Sequence, residues 1–388
     1  MKEIEILLSD DFRRSVEENL GRDPVQAALD KRLPHAALVA SQVKYLRRAE
    51  RKLPSYHAAR CVIPPLAFEQ SSSEETAARK NWSGALCIDL TCGLGVDSFF
   101  LSKRFGRVIS VERDEELAAV ARENFRRLGA ANIEVVNASA EEFLASFNGS
   151  ADLVYADPDR RNAQGKKMVR IVDCSPDIAA LMPQIRRTSP QLVVKLSPLF
   201  DVDEVFRIFG PHTLAEVVSL GGECKEIIAE VSGDIAAPSV RAVAIGLGEA
   251  EYPFSDGWSA PWAVFEPEDY RWLVVPDVAM QKARLAQRYF SGKGLWTDSD
   301  NGYAFSADEP ADVMGKIFGI KSLEPFDPKG LKRRLKESGA RGIDVLKRNF
   351  PLPSADIARQ LGVREGGTTV IAFTKAAGRL WQIYLTKR

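Results

Sequence analysis

Short apolar runs alternate with polar segments of helical spacing through the middle of the chain. The runs lie at 85–90, 107–112, 133–137, 152–157, 191–196, 215–220 and 226–231, with another possible at 240–247. A helix is predicted over 114–128, between the second and third runs. Strands that alternate with helices pack as a parallel sheet with helices on both faces. The pattern therefore predicts an α/β domain with a Rossmann-like, doubly wound sheet over 81–249.

The two flanks of this domain have different patterns. Residues 1–80 form a helical region, where apolar residues recur at helical spacing, as at Leu38, Val39, Val43 and Leu46. Residues 250–320 are rich in aromatic residues and proline, and we interpret them as a connecting subdomain with a possible ferredoxin-like fold. Residues 321–388 are predicted as helix, strand, helix and hairpin, which makes a small α+β module.

The composition of the chain limits the classes of function that it can have. The longest apolar runs are much shorter than a membrane span, and the amino terminus carries acids where a secretory signal would be basic. We therefore expect a cytoplasmic protein with no membrane partner. Five cysteines and three histidines have no metal-ligand spacing, so no metal site is predicted.

The net charge of zero hides an asymmetry. Residues 321–388 hold fifteen Lys or Arg and six Asp or Glu. A basic module on an acidic body suggests a polyanionic partner, although a charged face can also be merely solvated.

The segment CIDLTCGLGVDS, residues 87–98, is the strongest sign of a cofactor site. A strand ends at Asp89, Gly93 and Gly95 allow a tight turn, and a helix follows, whose first N–H groups are free to bind a ligand. Glu112 ends the next strand, where a carboxylate can bind both hydroxyls of a ribose. A nicotinamide fingerprint would have a third glycine where Ser98 lies.

This D-x-x-x-G-x-G segment resembles motif I of class I S-adenosylmethionine-dependent methyltransferases. With EQSSSEETAARK, ADPDRRN, VVKLSP, PDVAMQKARLAQ and RGIDVLKRNFPL, the chain resembles bacterial methyltransferases that carry a THUMP-like domain at the carboxyl end. The resemblance implies S-adenosylmethionine as cofactor and an RNA substrate. It also implies cofactor contacts from Asp89, Thr91, Gly93, Gly95, Asp97, Glu112, Arg113, Asn137, Ala138, Ser139, Asp157 and Pro158. Many class I enzymes hold the adenine amino group with an Asp after the third strand, and here Asn137 or Ser139 takes that place.

The segment VYADPDRRN ends the fourth strand with Asp157 and Pro158. Enzymes that methylate amino groups of nucleic acids have [DN]-P-P-[YFW] there, with an aromatic residue that stacks on the base. Asp159, Arg160 and Arg161 follow here instead and supply no stacking ring, which disfavours this mechanism unless Tyr155 or another ring stacks. The two arginines either bind an anionic part of the substrate or hold the loop through an Asp–Arg pair.

A catalytic set is predicted at the carboxyl edge of the sheet, comprising Asp157, Lys195 and Glu226. Their order resembles the last three members of the Lys-Asp-Lys-Glu set of ribose 2′-O-methyltransferases, with Lys80 as a candidate for the first lysine. A lysine between carboxylates can orient an alcohol and stabilise its developing charge. The alternative is a structural salt bridge from Lys195 to Asp157 or Glu226.

The leading hypothesis is a methyltransferase that acts on structured RNA (tRNA or rRNA). Phosphate contacts are then expected from Arg160, Arg161, Lys332, Arg333 and Arg334, with Arg341, Lys347 and Arg348 as further contributors. The alternatives are a methyltransferase for a protein or small molecule, and a nonenzymatic RNA-binding protein that retains the fold.

Overall fold

The computed structural model describes residues 3–159, 174–255 and 264–386. The chain divides into two compact units. The first comprises Met1–Thr213 and Ile228–Ala236, and the second comprises Leu214–Ile227 and Ala237–Arg388. Strand β7, Glu223–Ser232, therefore contributes residues to both units.

Helices begin the first unit: α1 Glu3–Leu7, α2 Asp10–Asn19, α3 Pro24–Ala28, α4 Ala36–Lys52, α5 Pro54–Ala58, α6 Pro65–Gln70 and α7 Glu74–Ala77. Helix α4 buries Val39, Val43 and Leu46, which lie on one face because they are four and three residues apart. These side chains share a core cluster with Phe99 and Phe125 from two later helices of the same unit. The helical region predicted at 1–80 is thus packed into the unit that contains the first five strands.

A parallel sheet forms the centre of the first unit. Its strands are β1 Gly84–Asp89, β2 Phe105–Glu112, β3 Ile133–Asn137, β4 Leu153–Ala156 and β5 Gln191–Leu196, in the spatial order β3-β2-β1-β4-β5. The intervening helices are α8 Val96–Leu101, α9 Glu115–Arg127, α10 Ala140–Ser146, α11 Ile178–Thr188 and α12 Val202–Phe209. The strand order reverses beside β1, and ligands of such sheets bind at the carboxyl edge near that point.

The second unit contains β6 Thr213–Leu220 apart from its first residue, β8 Ser239–Ala244 and β9 Gly248–Pro253. Strand β8 is parallel to β6 and antiparallel to β9. A seven-stranded sheet in this unit has the order β11-β10-β12-β16-β15-β13-β14. Its strands are β10 Trp272–Pro276, β11 Ala304–Ser306, β12 Gly315–Pro325, β13 Gly342–Arg348, β14 Arg364–Glu365, β15 Thr369–Ala376 and β16 Arg379–Thr386. Its helices are α13 Val278–Lys282, α14 Ala286–Gly292, α15 Pro328–Glu337 and α16 Ser354–Leu361.

Two of the predicted domain boundaries fall inside strands of the structure. The predicted boundary at 320/321 falls inside β12, and the boundary at 249/250 falls inside β9. Strands β10 and β11 come from the predicted connecting subdomain, yet they pair into the same sheet as the carboxyl-terminal strands. The aromatic, proline-rich composition concealed these two strands because neither has a clear alternating pattern.

In the described part of the chain, every helix is too short or too polar to cross a bilayer.

Candidate functional site

The turn after β1 is built around the buried carboxylate of Asp89. One oxygen accepts hydrogen bonds from the backbone N–H of Thr91 at 2.9 Å and from its hydroxyl at 3.4 Å. The other oxygen accepts a short hydrogen bond from Ser98, whose hydroxyl in turn accepts from Ser110 at 2.8 Å. Burial raises the pKa of Asp89 to about 7, against the opposing effect of the bonds from Ser98 and Thr91. A proton or a bound cation can therefore neutralise this carboxyl near neutral pH.

The two glycines of the turn have different roles. Both have positive φ, at 56° for Gly93 and 86° for Gly95. A Cβ on Gly95 would collide with the ring of Phe125, so this glycine allows helix α8 to pack against α9. A Cβ on Gly93 would meet only the Thr91 carbonyl, at 4.0 Å, and would otherwise occupy open space. Gly93 therefore leaves room for a ligand to approach the backbone.

Glu112 at the end of β2 is fixed to the same turn. Its carboxylate accepts from the N–H of Gly93 at 2.8 Å and from the N–H of Asp114 at 3.0 Å. A carboxylate has about four acceptor positions, so capacity remains for hydroxyl donors. Beside it, Asn137 donates its side-chain amide to the carbonyl of Glu112 at 2.8 Å and to that of Arg113 at 3.3 Å.

Asp97, in the first turn of α8, is the centre of a buried polar network. It forms an ion pair with Lys80 and accepts hydrogen bonds from the hydroxyls of Ser72 and Tyr155, at 2.9 Å and 2.8 Å. Lys195 approaches it at 3.7 Å. Burial acts to raise the pKa of Asp97, but Lys80 and Lys195 hold that pKa well below its ordinary value. Asp97 is therefore ionised and balances part of the charge of two buried lysines.

Asp157 and Lys195 extend this network to the carboxyl edge of the sheet. They form an ion pair in which the Asp157 side chain is 28% exposed and the Lys195 side chain only 9%. Lys195 also donates to Ser72 at 3.0 Å, and the N–H of Asp157 donates to the hydroxyl of Thr91 at 2.6 Å. Asp157 is thus tied both to the buried lysine and to the turn after β1.

Two segments of the chain match known protein families. Residues 87–184 match the family model of a methyltransferase domain, and residues 315–387 match that of a THUMP domain-like family. A crystal structure from Porphyromonas gingivalis W83, assigned as a methyltransferase, aligns over all of this chain and 99% of its own, with a TM-score of 0.81 and 26% identity. The chain is a methyltransferase with a carboxyl-terminal THUMP-like domain.

Two curated relatives extend this comparison. An uncharacterized S-adenosylmethionine-dependent methyltransferase of Mycobacterium tuberculosis is 25% identical over 348 residues, which cover 86% of this chain and 91% of the relative. An uncharacterized RNA methyltransferase of Thermotoga maritima is 31% identical over 123 residues, or 30% of this chain and 28% of the relative. The predicted fold class, the enzyme class and S-adenosylmethionine as cofactor are confirmed.

The geometry of the methyltransferase fits this cofactor. S-adenosylmethionine has a cationic amino group and two ribose hydroxyls, and the turn offers two carboxylates and an open backbone at Gly93. The predicted contacts of Asp89 with the amino group and of Glu112 with the hydroxyls suit this arrangement and stay predictions. The other predicted contacts also stay predictions. Ser139 caps α10 through the N–H of Glu142, and Arg113 donates to Ser175 at 2.7 Å.

The predicted catalytic set of the methyltransferase is partly brought together. Asp157 and Lys195 form an ion pair, which both the catalytic set and the alternative of a structural salt bridge predict, so their catalytic role stays a prediction. Glu226 is buried in the part of β7 that belongs to the second unit, so its role remains a prediction. Arg160 and Arg161 lie outside the described residues. Tyr155 is buried and bonded to Asp97, so it offers no exposed face for stacking on a base.

The predicted phosphate ligands on α15 of the methyltransferase are not equivalent. Arg334 makes a two-pronged pair with Glu324, at 3.0 Å and 2.7 Å, and lies over the ring of Tyr384. Lys332 and Arg333 are exposed, and Arg333 has a long 3.9 Å contact with Glu337. Phosphate is therefore more accessible to Lys332 and Arg333 than to Arg334.

Two members of the buried polar network around Asp97 were not predicted from the sequence. Ser72 lies before α7, 123 residues from the Lys195 that it contacts, and Tyr155 was considered only as a stacking ring. Ser73, next to Ser72, caps α7, but the run SSSEE has no feature that indicates the contact of Ser72 with the site.

Proposed function

We propose that the methyltransferase transfers the methyl group of S-adenosylmethionine to structured RNA. The exposed basic face of the THUMP-like domain carries this proposal. Lys329, Lys332, Arg333 and Lys336 are all exposed on α15, with Glu337 as the exposed acid of the same helix. A row of cations on one helix is suited to successive phosphates of a nucleic acid. The match to the Thermotoga maritima RNA methyltransferase supports the same substrate class.

Lys195 and Asp157 are proposed as the groups that orient the substrate nucleophile. When bound, S-adenosylmethionine supplies an electrophilic methyl group on a sulfonium. Asp157 is partly exposed at the rim of the sheet and can accept a hydrogen bond from an attacking hydroxyl or amine. Lys195 is held in place by Asp157 and Ser72, and its charge can stabilise negative charge that develops on a nucleophile.

The substrate class is tested by methyl transfer from labelled S-adenosylmethionine to RNA, protein and metabolite fractions from bacterial cells. We expect label in the RNA fraction. In Lys195→Met, the rate of methyl transfer to RNA should fall about a hundredfold or more, while the variant still binds S-adenosylmethionine. Label in the protein or metabolite fraction alone would refute the RNA proposal.

RNA binding is tested with point variants. The seven-stranded sheet includes strands on both sides of residue 321, so deletion of 321–388 would disrupt β12. The triple variant Lys332→Gln, Arg333→Gln, Lys336→Gln is expected to reduce the slope of log affinity against log salt by about two to three. A control variant, Lys31→Gln, Arg32→Gln, Lys44→Gln, removes three exposed charges from the first unit and should leave the slope unchanged. Equal slopes in both triple variants would contradict the assignment of this helix.

A further inference from the structure

Among the residues that the structure describes, two buried hydrogen-bond donors of the second unit have no acceptor. Both the Oη of Tyr303, just before β11, and the Nε2 of Gln281, on α13, are enclosed. Neither atom has a hydrogen-bond partner among the described residues. Buried polar atoms are nearly always paired, because an unpaired one has lost its water and gained nothing in return. Two such atoms call for a group that can accept from both.

Arg348, the last residue of β13, connects the two donors. Its Nη1 donates to the Oε1 of Gln281 at 2.6 Å. The side-chain amide of Asn349, next to Arg348, donates to the hydroxyl of Ser299 at 2.7 Å, which brings this end of β13 to the segment before Tyr303. Burial raises the pKa of Tyr303, and the charge of Arg348 opposes that rise. Three elements of the second unit thus converge on one cluster of donors.

The charge of Arg348 has no counterion in the described part of the chain. Arg334, by contrast, has Glu324 as its partner at 2.7 Å. Burial lowers the pKa of Arg348, and the phenol of Tyr303 supplies the opposing effect. A half-buried guanidinium without a carboxylate is costly, and an anion would relieve that cost.

We propose that Arg348, Gln281 and Tyr303 form a binding site for a phosphate group. Its oxygens can accept from the guanidinium, the amide and the phenol together, and its charge balances that of Arg348. A single buried water would satisfy donors but would leave the guanidinium without a counterion.

The phosphate group has two possible sources, inorganic phosphate and a phosphate of an RNA substrate. Only the second source rests on the proposed function. Binding of phosphate is measured without methyl transfer, so failure of this inference and failure of the RNA proposal are distinguishable.

The experiment is calorimetric titration of the full chain with inorganic phosphate, in phosphate-free buffer. We expect binding by the wild-type protein, about tenfold weaker binding by Arg348→Gln, and weaker binding by Tyr303→Phe, since each variant removes a donor. Tyr303→Phe should also raise the melting temperature in the absence of phosphate, because it deletes an unpaired buried hydroxyl.

Tyr289→Phe is the matched control. The Tyr289 hydroxyl donates to the carbonyl of Asp312 at 3.1 Å and accepts from the N–H of Met314 at 3.2 Å. Its loss should lower the melting temperature and leave phosphate binding unchanged.

No binding of phosphate by the wild-type protein, or equal binding by Arg348→Gln, would overturn the proposal. A fall in melting temperature for Tyr303→Phe as large as that for Tyr289→Phe would also overturn it, since a buried water would then satisfy the phenol. Competition between phosphate and an RNA oligonucleotide, lost in Arg348→Gln, would support RNA as the source. Phosphate binding without competition would support the site and overturn the RNA source.

Discussion

Replacement of Asp97 by Asn removes the carboxylate that two buried lysines share. The side chains of Lys80 and Lys195 are only 2% and 9% exposed. Asn has nearly the same size, and its amide oxygen can still accept from Tyr155 or Ser72, so the change is mainly one of charge. Lys195 retains Asp157 as a partner, whereas the ion pair between Lys80 and Asp97 is lost.

The expected cost follows from this burial. Removal of one partner of a buried ion pair typically costs about 3–5 kcal/mol, because the other charge remains buried. We expect Asp97→Asn to lose about 3 kcal/mol of unfolding free energy, at the lower end of that range because Lys195 stays paired.

The assay is urea unfolding at pH 7.5, followed by circular dichroism and by hydrogen exchange of peptides from β1 and β4. The peptides are needed because a chain with two compact units need not unfold in one step. Glu134→Gln is the control, since the Arg107–Glu134 pair is 58% and 51% exposed and should contribute less than about 1 kcal/mol.

A loss below about 1 kcal/mol in Asp97→Asn would refute the reasoning. The double variant with Lys80→Met should recover part of the lost free energy, because the buried ammonium that loses its ion pair with Asp97 is then removed as well. The low pKa of Asp97 also fixes the pH range in which this carboxylate stabilises the folded state. The stabilisation is present above the unfolded pKa of about 4, and it is lost as the pH falls below that value toward the folded pKa.

Three further predictions concern the cofactor turn and the basic helix. Burial raises the pKa of Asp89 to about 7, so the folded state keeps a proton that the unfolded state releases above pH about 4. The free energy of unfolding should fall as pH rises from about 4 to 7 and then level off. Asp89→Asn should lack this contribution to the slope of unfolding free energy against pH. An identical slope in the variant would contradict the raised pKa of Asp89. Gly93→Ala should mainly weaken the binding of S-adenosylmethionine, measured by calorimetry. Gly95→Ala should mainly lower the melting temperature, by several degrees, through its clash with Phe125. A larger loss of melting temperature in Gly93→Ala and a larger loss of affinity in Gly95→Ala would contradict the assigned roles. Lys332→Gln should weaken RNA binding in a filter assay several-fold with little loss of stability, and a null effect would remove this residue from the proposed surface.

The sequence predicted the parts of the site that depend on the order of strands. Asp89 and Glu112 each end a strand, and neighbouring parallel strands bring their carboxyl ends together. Asp157 and Lys195 meet for the same reason, at the ends of β4 and β5. Short apolar runs with clear turns were enough to locate these strand ends.

The buried lysine network could not be predicted in the same way. Lys80 reaches Asp97 from a segment between a one-turn helix and β1, and no periodic pattern specifies where such a segment lies. The sequence over 277–290 predicts one helix, but the structure has two, α13 and α14, because Arg284 between them has a φ of 56°. A left-handed residue that is not glycine has no clear signal in one sequence.

The division of β7 between the two units has a consequence for folding during translation. The first unit ends with Ile228–Ala236, while residues 214–227 belong to the second unit. Domains usually fold in turn as they leave the ribosome, the amino-terminal one first. Here the nascent chain must extend to Ala236 before the cofactor-binding body has all its residues, so a segment of the later unit has emerged before the earlier one is complete. A gene cut after codon 213 would therefore encode an unfinished body rather than an autonomous enzyme.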